Sequence, residues 1–116
     1  MKRLLKHFSF WLNGIEEDTP LPYEIKHLYF NFHRINKYIS FGGNQFANKR
    51  AFNFEYSPLE AQFFNVEKYD RNFSVLKLRT LVENLLDDSF FYKLFLNKNI
   101  YISYFGENYR FNFINS

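Results

Sequence analysis

Apolar residues recur at helical spacing from the start of the chain. Leu4, Leu5, Phe8, Trp11, Leu12 and Ile15 fall on one side, with Lys2, Lys6, Ser9 and Asn13 opposite. This spacing predicts an amphipathic helix over 2–13, with Gly14 placed to end it. Glu16 to Pro22 contains two prolines and reads as a loop. The period then changes to two. Leu28, Phe30 and Phe32 share one side of a predicted strand, and His27, Tyr29, Asn31 and His33 the other. A short link near Ile35-Asn36 leads to a second strand, Lys37 to Phe41, and Gly42-Gly43-Asn44 is a turn or bulge signal. A third strand is expected over Arg50 to Tyr56, with Phe52, Phe54 and Tyr56 on one side and Pro58 stopping it. Gln62 to Val66 suggests a short fourth strand.

Helical spacing returns at Ser74, a cap residue type, followed by the stripe Val75, Leu78, Leu81, Val82, Leu85 and Leu86. After Asp87-Asp88, Ser89 is placed to cap a second short helix holding Phe90, Phe91, Leu94 and Phe95. Two final strands, Asn99 to Phe105 and Tyr109 to Ile114, flank the tight link Gly106-Glu107-Asn108. The predicted order is α-β-β-β-(β)-α-α-β-β. No linker or low-complexity tract divides the chain, so residues 1–116 read as a single α+β domain. Its antiparallel sheet of about five strands is packed on one side by helices, with the Phe-rich side of each strand facing them.

The chain has 17 Phe and 9 Tyr but only 4 Gly and 3 Pro. Phe, Tyr, Asn, Lys and Ile are residues of A/T-rich codons, so the bulk aromatic excess reflects codon bias, and only the placement of aromatics carries functional weight. The tripeptide Phe-Asn-Phe occurs at 30–32, 52–54 and 111–113. Its flanks agree too little to mark a repeat, and strand alternation accounts for it. Cysteine is absent, which excludes a disulfide scaffold, a thiolate metal site and a cysteine nucleophile. Apolar runs are too short to span a membrane, and the N-terminal apolar stretch is interrupted by His7, Ser9 and Asn13, so a cytoplasmic protein is expected.

No catalytic or phosphate-loop motif is present. His27 and His33 share a strand face but stand about 20 Å apart at 3.3 Å per residue, too far to share a metal. A metal site would need His7 with one of them and Glu24. Asp87 and Asp88 are neighbours in sequence and do not face each other on a helix. The reading is therefore non-enzymatic, with no cofactor and no metal.

If the Phe side of the sheet faces the helices, the other side presents Tyr29, Asn31 and His33 from the first strand and Tyr38 and Ser40 from the second. Asn53 and Glu55 follow from the third, and Tyr101, Ser103, Arg110 and Asn112 come from the last hairpin. Tyr offers contact area at low rotamer cost, and Ser and Asn offer adaptable hydrogen bonds, so this composition suits recognition of another protein. It equally fits the wet face of an antiparallel sheet. A net charge of +3 and a pI near 9.1 keep a nucleic-acid-binding role as the alternative, although this face holds few cations. The basic N-terminal helix and the Phe90–Phe95 segment are expected in the core. The alternative for the helix is to lie on a membrane surface or in a partner's groove, and the Phe90–Phe95 segment, left exposed, would mark a partner or homodimer surface.

Overall fold

The computed structural model describes residues 2–46, 54–58, 63–104 and 107–110, with 103, 104 and 107–110 described through their backbone. The elements are α1 (Lys2–Asp18), β1 (His27–His33), β2 (Tyr38–Asn44), β3 (Phe64–Asn65), α2 (Val75–Leu85), α3 (Ser89–Leu94), β4 (Asn99–Tyr104) and β5 (Glu107–Arg110). The class is α+β, as the change of period along the chain implies.

α1 buries Leu4, Phe8, Leu12 and Ile15. Gly14 does not end it: the helix continues to Asp18. A glycine inside a helix costs about 1 kcal/mol relative to alanine, and burying Ile15, 2% exposed, offsets that cost. Beyond the helix, Leu21 N–H donates to the Glu16 carboxylate at 2.9 Å, which holds the chain as it leaves. Ser74 caps α2 by accepting from Lys77 N–H at 3.4 Å. The cap of α3 is Asp88 rather than Ser89, because the Asp88 carboxylate reaches Phe90 N–H at 2.8 Å.

The sheet runs β3-β2-β1-β4-β5. β1 pairs antiparallel with β2, β2 with β3, and β4 with β5. β1 and β4, at the centre, are parallel, with Tyr29 beside Tyr101 and Asn31 beside Ser103. The sheet is therefore mixed, not antiparallel throughout. The chain leaves the sheet after β3, crosses one face as α2 and α3, and re-enters beside β1 in the same direction, as a helical crossover permits.

Two further expectations change. Gly42 and Gly43 lie inside β2 rather than in a turn, paired with Tyr29 and Leu28. Of the third predicted strand, residues 50–53 lie outside the described residues. Tyr56 makes an isolated bridge to Gly43, and 54–58 form no named strand. The one strand between β2 and α2 among the described residues is the short β3, inside the expected 62–66 segment.

The inner face of the sheet, Leu28, Phe30, Phe32, Ile39, Phe41, Ile100 and Ile102, joins the buried stripes of all three helices in one cluster. Phe8 is fully buried against Phe30 and Phe64, at ring-centroid distances of 5.9 and 5.6 Å. Phe41 lies 4.8 Å from Phe30. Full burial of each such ring contributes about 1.5–3 kcal/mol. Phe91 and Phe95 join this core, but Phe90 stays 48% exposed on α3, outside its expected place.

Candidate functional site on the outer sheet face

Alternation assigns Tyr29, Asn31 and His33 of β1 to the face away from the helices. The register sets Gly42, Ser40 and Tyr38 of β2 directly opposite them. β4 brings Tyr101 and Ser103 alongside Tyr29 and Asn31, and Arg110 of β5 pairs with Tyr101. Eight of the ten expected residues thus share one face by backbone register, Ser103 and Arg110 through their backbone alone. Asn53 and Asn112 lie outside the described residues.

The centre of this face is closed. Tyr29 is 2% exposed and Tyr101 7%, and their rings stack at 4.7 Å and 12°. Phe54 packs against this pair, 5.3 Å from Tyr29. Glycine at 42 makes that cover feasible: a Cβ there would stand 2.4 Å from Phe54 Cδ2. Phe54 was expected on the same side as Tyr56. Instead Phe54 covers the outer face while Tyr56 joins the inner core. With a single bridge in place of a continuous ladder, the period-two rule does not bind this segment.

One end of the closed centre is polar. His27 Nδ1 and the Tyr101 hydroxyl share a hydrogen bond of 2.8 Å. Asn44, opposite His27 in register, is 3% exposed. Its Oδ1 accepts from Glu55 N–H at 2.8 Å. The Glu55 carboxylate in turn accepts from Gln45 N–H at 3.1 Å and Gln45 Nε2 at 3.0 Å. These bonds tie the 54–56 segment to the end of β2.

The opposite end is open. His33 stacks on Tyr38 at 4.2 Å and 24°, and Phe63 leans on Tyr38 at 4.0 Å while remaining 52% exposed. Ser40 Oγ lies 3.0 Å from His33 Nε2. Burial lowers the His33 pKa from its ordinary value, which favours the neutral ring. Tyr38, Ser40, Asn31 and His33 are half-buried. This end therefore offers aromatic contact area with a hydroxyl–imidazole pair beside it.

Two buried polar groups elsewhere hold the frame. The Tyr56 hydroxyl donates to Thr19 C=O at 2.6 Å. Burial, with the Glu16 carboxylate nearby, pushes its pKa far up. Lys98, 5% exposed, donates to Ile25 C=O and Tyr23 C=O, clamping the loop before β1 onto the start of β4. Burial and the neighbouring Lys26 lower its pKa, against an opposing pull from Glu24 and Glu16.

Sequence reasoning missed Phe54 and Phe63 as members of this face, and it placed His27 there without counting it among the site residues. His27 carried a legible signal, since it falls on the same side of β1 as Tyr29. Alternation put Phe54 on the side of Tyr56, and Phe63 stands just before the two-residue β3, so neither carried a signal for the outer face. Among the described residues, no group of three or more His, Cys, Asp or Glu is placed to hold a metal. Among them too, no helix is long and apolar enough to cross a membrane. No family model, curated protein or solved structure matches the chain, so its own residues carry the functional argument.

Proposed function

We propose that this chain is a small non-enzymatic protein-binding module, of inhibitor, immunity or chaperone type, acting in the cytoplasm through the open end of its outer sheet face. Tyr38, His33 and Phe63 are the anchors. Asn31 and Ser40 supply hydrogen bonds, and Ser103, Arg110, Asn53 and Asn112 are included as further contacts of the same reading. Tyr29 and Tyr101 support the surface from beneath. The observation that carries this reading is Phe63, half exposed yet held at 4.0 Å against Tyr38. An aromatic ring fixed in place before binding loses little freedom on docking, and such rings dominate protein interfaces.

The test is capture of partners from source lysate on the immobilised intact chain, compared with Phe63→Ala, Tyr38→Ala and Leu76→Ala. Leu76, on α2, is 72% exposed and serves as the control. A partner retained by wild type and Leu76→Ala, and lost by about tenfold or more with either aromatic variant, supports the reading. Equal retention by all four chains overturns it. A second copy of the chain as the captured partner would make the surface a homodimer interface.

A further inference from the structure

We propose that the first two turns of α1 and the turn after β3 together dock the phosphodiester backbone of single-stranded nucleic acid. This surface is separate from the outer sheet face and does not depend on the reading of that face.

α1 carries its charges against its own dipole. Lys2, Arg3 and Lys6 stand at the N-terminal end and Glu16, Glu17 and Asp18 at the C-terminal end, with no acid in the first turn and no base in the last. Cations at a helix N-terminus weaken the helix rather than support it, so helix stability does not account for them. Ion pairing does not account for them either. Among the described residues, the ion pairs join Lys77 to Asp70 and Arg79 to Glu83. Lys2, Arg3, Lys6, Lys68 and Arg71 are in neither.

One of these cations, Arg3, packs over Tyr69. The Arg3 guanidinium lies 5.3 Å from the Tyr69 ring centroid, and the His7 ring 5.1 Å from it. Lys68 and Arg71, both exposed, flank Tyr69-Asp70 in the chain. The Asp70 carboxylate is taken up by Lys77 at 2.8 Å, which leaves Glu67 as the unpaired acid of this turn among the described residues.

An aromatic residue extends the cationic line. Lys2, Lys6 and Phe10 recur every four residues, which puts them on one stripe of α1. Phe10 is 60% exposed, with Lys6 Nζ 5.9 Å from its ring centroid. Cations in a row that ends on an open aromatic face suit a strand whose phosphates pair with lysine and arginine while a base stacks. An acidic peptide without apolar side chains would use the cations and leave Phe10 idle.

The test is fluorescence anisotropy of the intact chain with labelled oligothymidylate and oligouridylate of roughly 20 nucleotides. Salt is raised from about 50 to about 200 mM. Five phosphate contacts give a log–log slope near −3.5, or a loss of about 100-fold over that range. Lys2→Ala/Lys6→Ala and Lys68→Ala/Arg71→Ala should each bring the slope to about −2.1, a loss of roughly 20-fold. Phe10→Ala should weaken binding about tenfold and leave the slope unchanged. Lys93→Ala on α3 and Phe63→Ala should change neither, with circular dichroism confirming that every variant folds. This pattern with either oligonucleotide supports the proposal. Absence of binding at low salt overturns it. So does a slope indifferent to Lys68 and Arg71, and so does competition by polyglutamate as effective as by unlabelled oligonucleotide, which would reassign the surface to acidic proteins.

Discussion

Consider one methyl group added at Gly42. The residue sits in β2 opposite Tyr29, and the added carbon would meet Phe54 Cδ2 at 2.4 Å and Cγ at 2.6 Å. Ordinary carbon contacts begin near 3.5 Å, so the ring must move by about 1 Å, away from the Tyr29–Tyr101 stack it covers. Overpacking of this kind costs about 1–3 kcal/mol. Alanine also restricts the unfolded chain, which offsets about 0.4–1 kcal/mol where the backbone tolerates it. Gly42 has no left-handed φ to forbid a side chain. In the wild-type chain, Gly42→Ala should therefore lower stability by roughly 1 kcal/mol or more. With Phe54→Ala already present the obstacle is gone, and the same substitution should raise stability by about 0.4–1 kcal/mol. Urea unfolding of the four chains, followed by circular dichroism and Trp11 fluorescence, measures both steps. A reversal of sign between the two backgrounds is the expected result. Additivity within about 0.5 kcal/mol would refute the account of Phe54 as the cover of this face.

Phe8→Ala removes a fully buried ring packed on Phe30, Phe64 and Trp11. It should cost about 3–5 kcal/mol by urea midpoint and slope, and a cost under about 1 kcal/mol would place α1 outside the core. His33 has its folded pKa below the ordinary 6.5. The unfolded chain therefore binds its proton first, and the stability present above that value is lost as pH falls through the folded pKa. His33→Gln should flatten the decline in urea midpoint between about pH 7 and 5. An unchanged decline would show that His33 does not set it.

Several elements were legible because local pattern and core agree. The three-and-four spacing of Leu4, Phe8, Leu12 and Ile15 belongs to a helix on any apolar surface, and Ser74 in front of an apolar stripe is a cap in the chain as in the structure. Alternation in β1 placed Phe30 and Phe32 inward and Tyr29, Asn31 and His33 outward. It carries no information about the direction of the neighbouring strand, so the parallel pairing with β4 was invisible. Gly14 and the Gly42-Gly43 pair read as breaks because glycine's local cost is visible in sequence, whereas the packing that outweighs it is not. The candidate face was half legible for the same reason. Its residue list follows from period two. Which rings are open and which are closed depends on where Phe54 and Phe63 settle, and neither lies in a named strand of the sheet.

The parallel seam at the centre of the sheet also sets an order of events in folding. β1 and β2 are joined by a turn in which Lys37 N–H bonds to His33 C=O at 2.8 Å, and a hairpin of this kind closes within about 1–10 μs. β4 has no such short route. The bond between His27 and Tyr101 spans 74 positions, so the entropy of closing that loop must be met before any seam contact repays it. Until then the edge of β1 that will receive β4 stands unpaired, and the Tyr29 ring lacks its stacking neighbour. Collapse of α1 onto the β1–β2 hairpin can come early, whereas the tyrosine stack and the outer face around it mature with the last and slowest step. A folding intermediate trapped before that step would keep much of the helical signal and expose an edge open to another chain's strand.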